Sequence, residues 1–207
     1  MINRNEVRDY YSTELKLNDK AHDLEHCDKV YFDAMGIKQF KYPNENIDDL
    51  ILLASYIHDL KCHVDRKDHH ILAVKYIHEN IYKDKFLTTL DKDKITMLVD
   101  AVYKHRASLK DINRNTPLAK IMYVADKGKP DLDSYIKRSI KYHDNKQNQA
   151  ENVYNHMVEK FSRNGYAKMD DLTIEMYGSG VIEKFYNDID NLTIDYVEKL
   201  IPDTIAS

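Results

Sequence analysis

The chain has 207 residues, 43% hydrophobic and 32% charged, enough for a globular domain with its own core. Against 31 Lys and Arg stand 35 Asp and Glu, a formal charge of −4, which disfavours duplex nucleic acid as the main partner. Only two cysteines, Cys27 and Cys62, without CxxC spacing, argue against a disulfide framework or a Cys-rich zinc site, so reduced thiols and a cytoplasmic setting are expected.

The opening stretch, MINRNEVRDYYSTELK, has no apolar core, so it does not read as a signal peptide. No run approaches the roughly 18 apolar residues of a membrane span. Five glycines and four prolines punctuate the chain, and helical periodicity prevails over strand alternation. In Ala21–Met35, residues Leu24, Val30, Tyr31 and Ala34 suit one helix face. Asn46 to Asp49 offer a cap before the apolar run Leu50–Ile57, and a charged loop, Lys61–Asp68, follows. Helices are predicted at His69–Ile81, at Lys92–His105 and at Leu118–Asp126, the last with Pro117 in its first turn. Further helices are predicted at Leu132–His143, Gln147–Ser162, Leu172–Asn191 and Thr193–Leu200. Gly178-Ser179-Gly180 reads as a kink or break. The expected fold is all-α in a single domain, 1–207, with its chemical core at about 20–135 and helices from about 136 packing on it.

The candidate ligands in chain order are His26, the pair His58-Asp59, His69 or His70, His105 and Asp126. Each lies at or near an end of an apolar helical segment, so helix ends converging on one point would gather them in a pocket. Imidazole nitrogen with carboxylate oxygen suits zinc, iron, manganese or nickel, and the lack of thiolates disfavours a closed structural zinc site. The residues alone leave the choice between His69 and His70 open. His22, four residues before His26, could join it in a chelating pair. His63, His78, His143 and His156 read as surface residues.

These motifs resemble the HD-domain superfamily of metal-dependent phosphohydrolases. His26-Cys27-Asp28-Lys29-Val30 is similar to its HxxRV-type first-helix motif, with Lys29 for the usual arginine. Leu52 to Asp59 is similar to its apolar run into HD, and Leu118 to Lys127 to its final ADk helix. With His69 and His105 the pattern becomes H…HD…H…H…D, which resembles HD proteins holding two metals, among them hydrolases of diadenosine polyphosphates. Cys62 stands where many members have a lysine, Lys61 comes one residue early, and there is no GYP signature.

The resemblance implies an enzyme of the EC 3.1 or 3.6 type that cleaves a phosphate ester or anhydride in a nucleotide or dinucleotide. The alternatives are a cyclic-nucleotide phosphodiesterase, a non-catalytic nucleotide-binding module and a di-iron oxygenase. It implies one or two divalent ions (Mn, Fe, Co, Ni, Zn or Mg) on His26, His58, Asp59 and Asp126, with His69 and His105 completing a second site. His58 and Asp59 would be catalytic, Asp59 as the bridge, and His22 would lie outside the ligand set. Arg106, Lys127, Lys61, Arg66 and Lys104 would hold phosphate, Arg106 foremost because a guanidinium matches phosphate bidentately. No membrane is expected as a partner, and homo-oligomerisation stays open.

Overall fold

The computed structural model describes residues 2–20, 22–109, 112–142 and 148–205; Ala21, His143 and Gln147 lie outside them. Among the described residues all regular structure is helical, in agreement with the all-α expectation. The chain forms two compact units, Met1–Lys129 and Pro130–Ser207.

The first unit contains α1 (Arg4–Leu15), α2 (Leu24–Lys41), α3 (Asp48–Ile57), α4 (His69–Asn80), a 3-10 turn at Leu87–Thr89, α5 (Lys92–Lys104) and α6 (Pro117–Lys127). Its centre is α3, which packs against α1, α2, α5 and α6. All residues from Leu50 to Ile57 are buried, as a helix without a polar face requires. Burial of each large aliphatic side chain there contributes about 1.5–3 kcal/mol. The two polar members are satisfied: the Ser55 hydroxyl donates to the Ile51 carbonyl at 2.8 Å, and the Tyr56 hydroxyl donates to Asp28.

Helix α1 was not expected from the sequence. Its buried face is only Val7, Tyr11 and Leu15, a thin stripe in a polar run. Long-range polar contacts hold it in place. Arg4 and Arg8 pair with Asp28 of α2, and Tyr11 donates to the buried Asp84 at 2.9 Å. At α3 the N-cap position is Ile47, without a side-chain cap bond; Asp49 instead accepts from the Ile2 backbone amide at 2.7 Å.

The second unit comprises α7 (Leu132–Tyr142), α8 (Gln149–Phe161), α9 (Asp171–Tyr177), α10 (Ser179–Asp190) and α11 (Ile194–Ile205). Its core is built on Ile136, Val153, Met157, Phe185 and Val197. The stretch predicted as helical at Leu172–Asn191 is two helices, and the break expected at Gly178-Ser179-Gly180 falls at Gly178, whose φ of +86° lies where side-chain-bearing residues rarely go. None of the described helices is long and apolar enough to cross a membrane.

Candidate metal centre

Each candidate donor stands where a helix begins or ends. His26 lies in the first turn of α2, behind the Asp23 cap, and His69 opens α4. His58 and His105 follow the last residues of α3 and α5, and Asp126 sits in the last turn of α6. Three imidazoles fold back on their own turn in the same way. Nδ1 of His58 lies 3.0 Å from the Ser55 carbonyl, that of His69 2.8 Å from Arg66, and that of His105 2.6 Å from Val102. A carbonyl only accepts, so Nδ1 of each ring carries a proton, and Nε2 is the atom turned towards the cluster.

Two donor groups result, and Asp59 belongs to both. One is His26, His58, Asp59 and Asp126; the other is Asp59, His69 and His105; within each, the ligand atoms lie within 4.8 Å of one another. In the first, His26 Nε2 is 3.1 Å from Asp126 Oδ1 and 3.5 Å from Asp59 Oδ2. His58 Nε2 is 3.4 Å from that Asp59 oxygen and 3.6 Å from Asp126 Oδ1. In the second, His69 Nε2 is 3.0 Å from His105 Nε2 and 3.2 Å from Asp59 Oδ1. Asp59 therefore turns Oδ2 to one group and Oδ1 to the other.

With His105 Nε2 3.9 Å from Asp59 Oδ1 as the widest of these separations, the donors stand near enough to close on a cation. An ion bound at ~2.1 Å keeps neighbouring ligand atoms roughly 3.0–3.4 Å apart in tetrahedral or octahedral coordination. His58 Nε2 and Asp59 Oδ2 are buried without a hydrogen-bond partner in the protein, a cost of about 1–3 kcal/mol each. His69 and His105 face each other with two lone pairs, a repulsion that a proton or a cation relieves. Burial depresses the basicity of both rings, and His105, further opposed by the charge of His58, falls to about 4, so neutral solution supplies no such proton. A cation satisfies all of these groups. Cys27 does not compete for it, because burial, then the charge of Asp59, holds its thiol far above the usual range.

The two carboxylates shape the electrostatics. Burial opposes a charge on His58, but Asp59 and Asp126 carry its pKa up to about 10. Burial likewise opposes ionisation of the aspartates. Even so, the charge of His58 holds Asp59, and the hydrogen bond with His26 holds Asp126, well below the ordinary carboxylate range.

The centre opens into a pocket of about 500 Å³, lined by Asp59, Asp126, His69 and His105 together with the cations Arg66, Lys67 and Arg106. Of the sequence-predicted phosphate contacts, Arg66 and Arg106 thus face it, and Lys67, passed over in the sequence, joins them. The other three are engaged elsewhere. Lys61 pairs with Glu14 and lies over the Tyr76 ring; Lys104 pairs with Asp100 at 2.6 Å; Lys127 lies over Tyr123, 4.8 Å from the ring centre.

His22 lines the pocket, with Nδ1 2.8 Å from Asp19, but is in neither donor group. His70 is buried against Tyr103 and also stands apart from both. His63 and His78 are exposed and His156 is half-buried. Asn18 had no signal in the sequence, where it reads as an ordinary turn residue after α1. Its Nδ2 donates to the carbonyls of His22 at 2.8 Å and Asp59 at 2.9 Å, and its Oδ1 accepts from the His63 amide at 2.8 Å. It ties the approach to α2 to the turn that carries Asp59. No protein-family model, characterised protein or solved structure matches the chain.

Proposed function

We propose that this chain is a metal-dependent phosphohydrolase of the HD type that cleaves an ester or anhydride bond in a small nucleotide or dinucleotide. The observation that carries the reading is the position of Asp59, a buried carboxylate whose two oxygens face two different sets of donors. The cations of the adjoining pocket support it, since they give a protein of net charge −4 a local place for phosphate.

In this reading His26, His58, Asp59 and Asp126 hold one divalent ion, and Asp59, His69 and His105 hold a second. When bound, such ions polarise a phosphoryl oxygen and lower the pKa of water towards neutrality. The chain supplies the rest. Asp59 and Asp126, both ionised, accept hydrogen bonds from the attacking water and fix its direction. Arg106, Arg66 and Lys67 bind the remaining phosphate oxygens and offset the charge that develops on them. The carbonyls of Ser55, Arg66 and Val102 hold three imidazoles in one orientation, so no ring has to turn as substrate enters. The setting inferred is the cytoplasm.

Elemental analysis of the purified protein, joined to a phosphate-release screen over nucleotides with Mn, Co, Ni or Mg, tests the proposal. Turnover with a divalent ion is expected. Asp59→Ala is expected to lower turnover at least ~10²-fold while helical circular dichroism stays unchanged. Full activity in that variant removes Asp59 from the mechanism, and nucleotide binding without phosphate release would make the protein a binding module instead.

A further inference from the structure

Between α5 and α6 the described backbone has no regular secondary structure, so its carbonyls lack a ladder to join. Three of them, together with the carbonyl of Lys104 at the end of α5, converge on one side chain. Arg114 donates from Nε to Lys104 at 2.8 Å, from Nη2 to Arg106 at 3.0 Å and Leu109 at 3.2 Å, and from Nη1 to Ile112 at 3.4 Å. The same guanidinium lies on the face of Tyr123, 3.8 Å from the ring centre, one helical turn before Asp126 in α6. The bracketed segment contains His105 and the pocket-lining residues Arg106, Ala107 and Ser108.

We propose that Arg114 is a positioning residue: by bracketing residues 104–109 and anchoring them on α6, it sets Arg106 against the pocket where phosphate binds. The proposal rests on the phosphohydrolase reading above. A planar fork with five donors can serve several carbonyls while stacking on an aromatic face; a lysine ammonium, with three donors at one point, cannot. The Lys104 carbonyl belongs to the last turn of α5, where the helix leaves acceptors without partners, so one bond of the four also caps that helix. Arg114 contributes no charge to phosphate; it holds in place the residue that does.

Calorimetric titration of the Mn²⁺-loaded protein with inorganic phosphate tests this. Arg114→Lys is expected to weaken phosphate binding about tenfold, the worth of roughly one charge-assisted hydrogen bond, with Mn²⁺ stoichiometry unchanged. Arg106→Ala is expected to lose a similar factor, and the double variant no more than Arg106→Ala alone, because one residue acts through the other. A purely structural role for Arg114 would leave the two losses multiplying. Should Arg114→Lys fail to fold, Tyr123→Leu removes the anchoring face and carries the same test of non-additivity. Wild-type phosphate affinity in the Arg114 variant, or multiplying losses, overturns the proposal while leaving the phosphohydrolase reading intact. A wild-type protein that binds Mn²⁺ but no phosphate overturns both.

Discussion

His58 holds its proton far more tightly than an exposed imidazole because the carboxylates of buried Asp59 and half-buried Asp126 face its Nε2. Its pKa in the folded protein is about 10, against ~6.5 in an unfolded chain. The proton therefore stabilises the metal-free fold fully below pH ~6.5, and this contribution is lost as pH rises through about 10. Thermal unfolding of chelator-treated protein is expected at progressively lower temperature across that window, and His58→Asn should flatten the slope. A cation entering the four-donor group must displace the same proton, so binding near neutral pH should release about one proton. Calorimetry in two buffers of different ionisation enthalpy reads this directly, and identical heats would contradict it. Asn18→Ala, which strips hydrogen bonds from the carbonyls of His22 and Asp59, should cost about 1–3 kcal/mol of stability and weaken cation binding.

Helix ends carry most of the geometry, and the break at Gly178 shows what one end costs to change. A Cβ there meets no atom within 4 Å, so the strain of Gly178→Ala is that of the backbone alone, about 1–3 kcal/mol. Urea denaturation should register that loss, whereas Gly180→Ala, in open space at an ordinary helical φ, should show none. The core helices were legible because their apolar residues recur at helical spacing, and α3 was the plainest, its whole run buried. Helix α1 was not, because Val7, Tyr11 and Leu15 mark it less than its distant bonds to Asp28 and Asp84 do. The positions of the donors at helix ends could be read for the same reason as the helices themselves. Which cations face the pocket could not. Asp100 captures Lys104 one turn along α5, a pair visible in the sequence, but Glu14 reaches Lys61 only once the chain is folded. Arg114 was equally hidden, because its partners are backbone carbonyls, which every residue has.

Seen over the whole molecule, every candidate donor from His26 to Asp126 belongs to the unit Met1–Lys129, and the helices from α7 onward build a core of their own. A chain ending at Lys129 is therefore expected to unfold cooperatively and to gain stability from a divalent ion. At a free-ion concentration of 100 times Kd the gain is about 2.7 kcal/mol, which differential scanning fluorimetry detects as a higher midpoint. An aggregated or non-cooperative product would show that the second unit is needed for folding. The sharing of Asp59 also sets a balance sheet of charge for the centre. One divalent ion, if bound, would be neutralised by the Asp59 and Asp126 carboxylates. A second brings its charge without bringing another carboxylate, because it leans on the oxygen of an aspartate already counted. On the phosphohydrolase reading a singly loaded donor set would be electrically even and a doubly loaded one positive, so a gain in phosphate affinity beyond what Arg66, Lys67 and Arg106 provide is expected with the second ion rather than the first.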